Sequence, residues 1–311
     1  MRNTTDILRR ALDSTLANWP LIGIRIAENF VLVLLVVGSI IAAIVPVGIA
    51  AAFSNLDLKN AENSPQAVAA LVIEHWPVVV YLFVVATIVL VVLLAIHSFV
   101  EAGSARVFVD AERNGAGAVR SRESFRTFTM DRWLQGGRAS WWTVFWIYNI
   151  VWGVGGLILL IPLLLTLAGL FMVTETGGIV AVACGGLFLT FAIVFPLAVV
   201  MAVLTQKAIT VAVARSAAAR AAIRTGWSEI RRDFGRHFVV AFIAFVIAVG
   251  GSMVIASFTG PMTIARDIGH SPLMSIAFAP AQVISSIAQT VFSAAVGLWF
   301  MAGYIALTEE K

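Results

Sequence analysis

His97 and Glu101 are the two residues of this chain whose types and spacing come nearest to a reactive site. They lie four positions apart at the end of an apolar run, and positions i and i+4 share one face of a helix. An imidazole beside a carboxylate could relay a proton or supply half of a metal site, and ionisable groups in membrane segments are the first candidates for function. The sequence favours the alternative, in which both side chains lie at headgroup depth and hydrogen-bond to neighbours or water.

The common catalytic signatures are missing from the sequence. It has no HExxH, no GxSxG, no P-loop and no dinucleotide fingerprint. Arg25 and Glu28, three positions apart before the first long apolar run, are better explained as a solvated interfacial pair than as a transport site. We therefore predict no catalytic residue, no cofactor and no metal site, and we expect that the protein is not an enzyme. A membrane-embedded enzyme built around His97 and Glu101 remains the alternative.

Composition determines the class of protein that must position these residues. Of the 311 residues, 60% are hydrophobic and only 12% are charged, and the mean hydropathy is +0.96. Soluble domains carry about 25% charged residues. The apolar residues also come in long runs, whereas a membrane β-barrel would show short alternating segments. The sequence therefore predicts an all-α polytopic membrane protein with a single membrane domain, residues 1–311.

Six apolar runs are long enough to cross a bilayer, which takes about 20 helical residues. We predict spans at about 30–53, 77–100, 141–173, 179–204, 237–258 and 281–307. A polar segment, 54–76, separates the first two spans. Residues 259–280 are predicted as a loop rich in Gly and Pro, either disordered or containing a short helix on the outer surface.

The basic residues are confined to one side of this topology. Nineteen of the 21 Lys and Arg residues fall in the segments 1–29, 104–140 and 207–236 or at Lys311, and only Lys59 and Arg266 fall in the opposite loops. The positive-inside rule then predicts that both termini are cytoplasmic. We expect a multi-pass protein of the bacterial cytoplasmic (inner) membrane. Because topology and anionic lipid already account for the arginines, they do not indicate nucleic-acid binding.

The stretch from Arg215 to Ser257 combines a basic helix, a break at Phe234-Gly235 and a span. Ile223, Trp227, Ile230 and Phe234 fall on one helical face, with Arg220, Arg224, Arg231 and Arg232 mostly off it. An apolar stripe containing Trp beside several Arg suits a helix lying in the bilayer interface. We predict that these four arginines contact anionic lipid headgroups.

The same arrangement recurs twice, which predicts three repeats with bounds 1–103, 104–206 and 207–311. In the first repeat Leu8, Leu12, Leu16 and Trp19 form the stripe and Trp19-Pro20 ends it. In the second, Phe125, Phe128 and Trp133 form the stripe, and Gly136-Gly137 is predicted to break the helix. Each repeat would then be an interfacial helix followed by a transmembrane hairpin. Chance similarity among pairs of spans is the alternative.

The pattern A-I-R-x-G-W-S-x-I-R-R at 222–232, leading into a span, resembles the membrane domain that accompanies some bacterial glycerophosphodiester phosphodiesterases. It also resembles related six-span bacterial inner-membrane proteins that are largely uncharacterised. The resemblance implies six helices in the cytoplasmic membrane and an unclear molecular role. The phosphodiesterase activity of that family belongs to a separate soluble domain, so no catalytic residue carries over to this chain.

Three functions remain open from the sequence. The favoured one is a non-enzymatic membrane protein that organises or serves the inner membrane, through contact with anionic lipid on the cytoplasmic side or through a protein partner. The alternative is a transporter or channel for a small or lipidic substrate, in which Pro162 and Pro196 would mark broken helices. Ordinary proline kinks explain those two residues as well. The third is the membrane-embedded enzyme.

Overall fold

The structure, a computed structural model, describes residues 3–53, 76–115, 122–172, 176–269 and 272–310. Within these residues the regular structure is entirely helical. The α-helices are α1 (Thr4–Ala17), α2 (Pro20–Phe53), α3 (Trp76–Gly115), α4 (Met130–Met172), α5 (Thr176–Arg215), α6 (Ala219–Arg232), α7 (Phe234–Gly269) and α8 (Pro272–Thr308), with a short 3₁₀ helix at Arg122–Phe125.

Six of these helices are long and apolar enough to cross a membrane, as the sequence predicts. The stretches that qualify are Pro20–Ala43, Trp76–Gly115, Met130–Thr166, Cys184–Arg215, Phe234–Phe258 and Ala279–Thr308. In hydrocarbon every backbone N–H and C=O group must be bonded within the segment, which a continuous helix achieves. The predicted class, a helical multi-pass membrane protein, is therefore confirmed.

The helices are longer than the predicted spans. Helix α3 continues to Gly115 instead of ending near residue 100. The loop predicted at 259–280 is wrong, because α7 continues to Gly269 and α8 begins at Pro272. Proline is tolerated at the first position of a helix, where its missing N–H would have no partner anyway. The predicted polar segment at 54–76 lies almost wholly outside the described residues.

The chain divides into two compact units. The first comprises Met1–Ile26 and Ser98–Lys311, and the second comprises Ala27–His97. In the second unit α2 and α3 are in contact, since the hydroxyl of Tyr81 donates a hydrogen bond to the carbonyl oxygen of Ala42 at 3.2 Å.

The first unit has its most buried residues at the end that carries most of its basic residues. We call this part the basic end, comprising residues 4–26, 98–115, 122–151, 201–236 and 294–310. Phe108, Ile209, Leu298 and Met301, from three helices, are at most 1% exposed there. Farther into the spans large apolar side chains are exposed, as expected where lipid tails are as apolar as the helices themselves.

Gly136 and Gly137 do not break the chain, contrary to the sequence prediction. Helix α4 runs through both from Met130 to Met172. A Cβ atom on Gly137 would lie 2.6 Å from the ring of Phe99 on α3, and one on Gly136 would meet Arg106 on the same helix. The two glycines therefore allow α3 and α4 to approach closely, a use of small residues that is common between membrane helices.

Replacing Gly103 with alanine is expected to force α3 and α4 apart. The added Cβ would lie 2.7 Å from the main-chain oxygen of Trp133, which cannot move without shifting α4. Such overpacking costs about 1–3 kcal/mol. Thermal unfolding of the full chain in detergent measures the loss. Gly153→Ala is the matched control, because nothing lies within 4 Å of its added Cβ. Equal melting temperatures for the two variants would contradict the close packing.

Candidate functional site

Helix α6, which carries the predicted lipid-contact arginines, joins α5 through a tight turn. Ser216 has a φ of 50°, in the left-handed region. The N–H group of Ala217 donates to the carbonyl oxygen of Ala212 at 3.1 Å, which is the hydrogen bond of a Schellman termination. This turn reverses the chain, so that α6 packs back against α5.

The buried face of α6 is not the whole predicted stripe. Ala222, Gly226 and Ile230 are buried, and a Cβ on Gly226 would lie 3.3 Å from the main-chain nitrogen of Ala208 on α5. Trp227 and Phe234 are 42% and 60% exposed. A face of mainly small residues therefore packs against the protein, while large aromatic side chains point outward.

The side chains of α1 show the same division into a buried face and an exposed face. Its buried residues include Ile7 and Ala11, whereas Leu12, Leu16 and, just beyond its end, Trp19 are exposed. Large apolar side chains that turn away from the protein need another apolar surface to cover them, and the boundary between headgroups and acyl chains provides one. On both α1 and α6, therefore, large apolar side chains are exposed instead of being packed against the protein.

The four predicted arginines are all exposed. None of Arg220, Arg224, Arg231 and Arg232 forms an ion pair with any residue that the structure describes. Other cations of the basic end do have carboxylate partners. Lys207 and Arg215 both contact Glu229 at 2.8 Å.

Glu229 holds a buried cation in place. Lys207 is only 1% exposed, and its Nζ also donates to Oγ1 of Thr308 at 2.9 Å. Burial by itself would raise the pKa of Glu229, but the hydrogen bonds and charges of Lys207 and Arg215 outweigh it and lower the pKa below 4.5. Glu229 is therefore ionised at neutral pH.

His97 and Glu101 each have a partner on α2. In the second unit, Nδ1 of His97 lies 2.7 Å from Oε1 of Glu28. In the first unit, Glu101 forms an ion pair with Arg25. Among the described residues no group of three or more His, Cys, Asp or Glu residues could hold a metal ion. These pairs connect helices, and neither has the composition of a metal or nucleophilic centre.

Several ion pairs of the basic end were not expected from the sequence. Arg10 binds Glu112 at 3.0 Å, Arg113 binds Glu309 at 2.8 Å, and Arg236 binds Glu310 at 2.6 Å. They attach α1 to α3 and the segment after α8 to α3 and α7. No sequence signal could have paired them, because each pair joins residues at least 74 positions apart.

Comparison of the chain with family models, curated proteins and solved structures gave no match. The resemblance to the membrane domain of glycerophosphodiester phosphodiesterases therefore stays a prediction.

Proposed function

We propose that this chain is a non-enzymatic integral membrane protein that binds anionic lipid headgroups through α6, and that it organises or serves the membrane by that contact or through a protein partner. One observation carries the proposal: Arg220, Arg224, Arg231 and Arg232 are exposed and form no ion pair with the rest of the described chain, beside the exposed Trp227. Glu229, the carboxylate of α6, is instead paired with Lys207 and Arg215.

Electrostatic attraction determines most of the free energy of this contact. Each basic residue close to an anionic leaflet contributes about 1 kcal/mol. Four together supply about 4 kcal/mol, which salt weakens because the charges are exposed. Trp227 and Phe234 would enter the interface beside them and fix the depth of α6.

The proposal includes an orientation. The basic end would lie on the cytoplasmic side of a bacterial inner membrane, with both termini there, because positively charged segments are retained on that side. A reporter fused after Lys311 tests this orientation by its activity in the cytoplasm or in the periplasm.

The lipid contact is tested by replacing Arg220, Arg224, Arg231 and Arg232 with glutamine in the full-length protein. Native mass spectrometry of the protein from nanodiscs with equal phosphatidylglycerol and phosphatidylcholine counts the lipids that stay bound. We expect the wild type to prefer phosphatidylglycerol by about tenfold or more, and the glutamine variant to lose most of that preference. The four-fold Arg→Lys variant keeps the charge and should keep the preference. An unchanged preference in the glutamine variant would disprove the proposal.

A transporter or channel is the second candidate, and one observation favours it. Ser252 on α7 and Gln282, Ser285, Ser286 and Gln289 on α8 line a recess of about 470 Å³. Nε2 of Gln289 donates to Oγ of Ser252 at 2.7 Å, so part of this polar surface is used to join the helices. Pro162 and Pro196 lie inside continuous helices rather than at breaks. Solute flux into proteoliposomes that Gln289→Leu abolishes would support transport.

A further inference from the structure

An apolar cavity of about 510 Å³ lies between α5, α7 and α8. Ligand pockets typically have volumes of about 300–1,000 Å³. The cavity lining is dominated by six phenylalanines, Phe195, Phe238, Phe242, Phe245, Phe292 and Phe300. Phe238, Phe242 and Phe245 are each about half exposed, so the cavity opens sideways towards the hydrocarbon of the bilayer. An acyl chain can enter it without crossing a polar surface.

A second cavity of about 280 Å³ continues the first towards α6. The two share four lining residues, Phe195, Val199, Val203 and Phe238. The second cavity ends against Trp227 and Ile230 of α6 and against His237 near the start of α7. Together the two linings extend from within the spans to α6, and His237 is part of the second lining.

His237 is buried, and only one of its two ring nitrogens has a hydrogen-bond partner within the described chain. It is 4% exposed, and its Nδ1 lies 2.9 Å from the carbonyl oxygen of Asp233. A carbonyl only accepts hydrogen bonds, so Nδ1 carries the proton and Nε2 of the neutral ring is an acceptor. Nε2 has no hydrogen-bond partner within the described chain. The hydroxyl of Tyr304, the aromatic neighbour of the ring, is directed to the main-chain oxygen of His237 instead.

A buried polar atom without a partner is costly, and native proteins rarely keep one without a reason. Here the missing partner must donate a hydrogen bond and must arrive through an apolar path. A membrane lipid with a free hydroxyl group beside its acyl chains meets both requirements. In diacylglycerol this hydroxyl is on the glycerol, directly above the chains.

We propose that this cavity binds a hydroxyl-bearing glycerolipid of the diacylglycerol type. An acyl chain fills the space between α5, α7 and α8, and the glycerol hydroxyl donates its hydrogen bond to Nε2 of His237. The site is separate from the exposed arginines of α6, so it does not depend on the proposed headgroup contact. Phosphatidylglycerol, whose headgroup also has hydroxyls, is the other source of the same chemistry.

The test is equilibrium binding of 1,2-dioleoylglycerol to the full-length protein in detergent, followed by native mass spectrometry. The matched ligand is its 3-O-methyl ether, which keeps the chains and loses the donor. We expect wild type to bind the alcohol about tenfold more tightly than the ether, a difference of about 1.4 kcal/mol, because the ether leaves the buried acceptor without its hydrogen bond. Equal binding of alcohol and ether would overturn the proposal, because Nε2 would then have another partner such as water.

Two variants test the hydrogen-bond acceptor and the apolar cavity separately. His237→Phe keeps an aromatic ring and removes the acceptor, so it should bind alcohol and ether equally. Gly297→Leu fills the cavity from a position with nothing within 4 Å of its Cβ, so it should weaken the binding of both ligands. Tenfold discrimination that persists in His237→Phe would overturn the assignment of the acceptor, and undiminished binding to Gly297→Leu would overturn the cavity.

Two further binding measurements identify which lipid supplies the hydroxyl group and test whether the site is independent of the arginines. Phosphatidylglycerol that binds more tightly than dioleoylglycerol, and loses this advantage in His237→Phe, would assign the donor to the headgroup and overturn the diacylglycerol assignment. The four-fold Arg→Gln variant of α6 should keep the tenfold discrimination between alcohol and ether. Loss of that discrimination would contradict a site separate from the arginines.

Discussion

Replacing Glu229 with glutamine is expected to destabilise the protein by about 3–5 kcal/mol, the usual cost of leaving a buried charge without its partner. Lys207 is 1% exposed, and its Nζ contacts Glu229 at 2.8 Å. Glutamine keeps the shape of the side chain but removes the charge that balances the ammonium group. Thermal unfolding of the full chain in detergent should show a large drop in melting temperature.

The double variant Lys207→Met with Glu229→Gln removes both charges and should recover most of the lost stability. Glu309→Gln is the matched control, because Glu309 pairs with Arg113, whose side chain is 45% exposed. Exposed pairs contribute about 0–1 kcal/mol. Similar losses for Glu229→Gln and Glu309→Gln would contradict the argument that burial makes the first pair expensive to break.

The pH dependence of stability tests the same ion pair independently. The pKa of Glu229 is lower in the folded protein than its ordinary value of 4.5. The contribution of the Glu229 carboxylate to the free energy of unfolding is therefore complete above pH 4.5. It is lost as the pH falls through the folded-state pKa. The double variant lacks this carboxylate, so acidification should cost it less stability than it costs the wild type.

The features that the sequence predicts correctly are those that hydropathy determines directly. Six apolar runs predict six helices able to span a membrane, because no other open structure satisfies backbone groups in hydrocarbon. Helix ends were harder to predict. Gly136 and Gly137 look like a break in the sequence, yet the contacts that decide their role come from Phe99 and Arg106 on another helix. Local propensity cannot report a contact of that kind.

The stripe on α6 shows the same limit for the candidate site. Helical spacing correctly puts Ile223, Trp227 and Ile230 within one sector of the helix. Which part of the sector is buried depends on how closely α5 can approach, and Gly226 allows that approach on one side. The pairing of Lys207 with Glu229 could not be predicted from the sequence for a similar reason, because the chain reversal at Ser216 brings the two residues together. The sequence identifies the charged residues, but only the packing distinguishes paired from unpaired ones.

Asn18 is the second residue whose loss should have a large effect. It is fully buried at the end of α1, and its Oδ1 accepts hydrogen bonds from the N–H groups of Thr127 and Phe128 at 3.0 and 2.9 Å. Its Nδ2 donates to the carbonyl oxygens of Ser14 and Phe125 at 2.9 and 2.8 Å. One amide therefore uses all four of its hydrogen-bonding positions, three of them to hold the segment before α4 against α1.

Asn18→Leu has a similar shape and supplies none of these hydrogen bonds, so it should cost about 3–5 kcal/mol, at about 1–3 kcal/mol for each buried N–H left unsatisfied. Limited trypsin digestion gives a local readout, because Arg126 lies exposed in the segment that would be released. Cleavage after Arg126 should become faster in the variant. Asn149→Leu is the control, since the Asn149 amide donates only within α4, to the carbonyl oxygen of Phe145. If both variants resist trypsin as wild type does, Asn18 does not hold this segment, and the contacts of α4 with α3 alone position it.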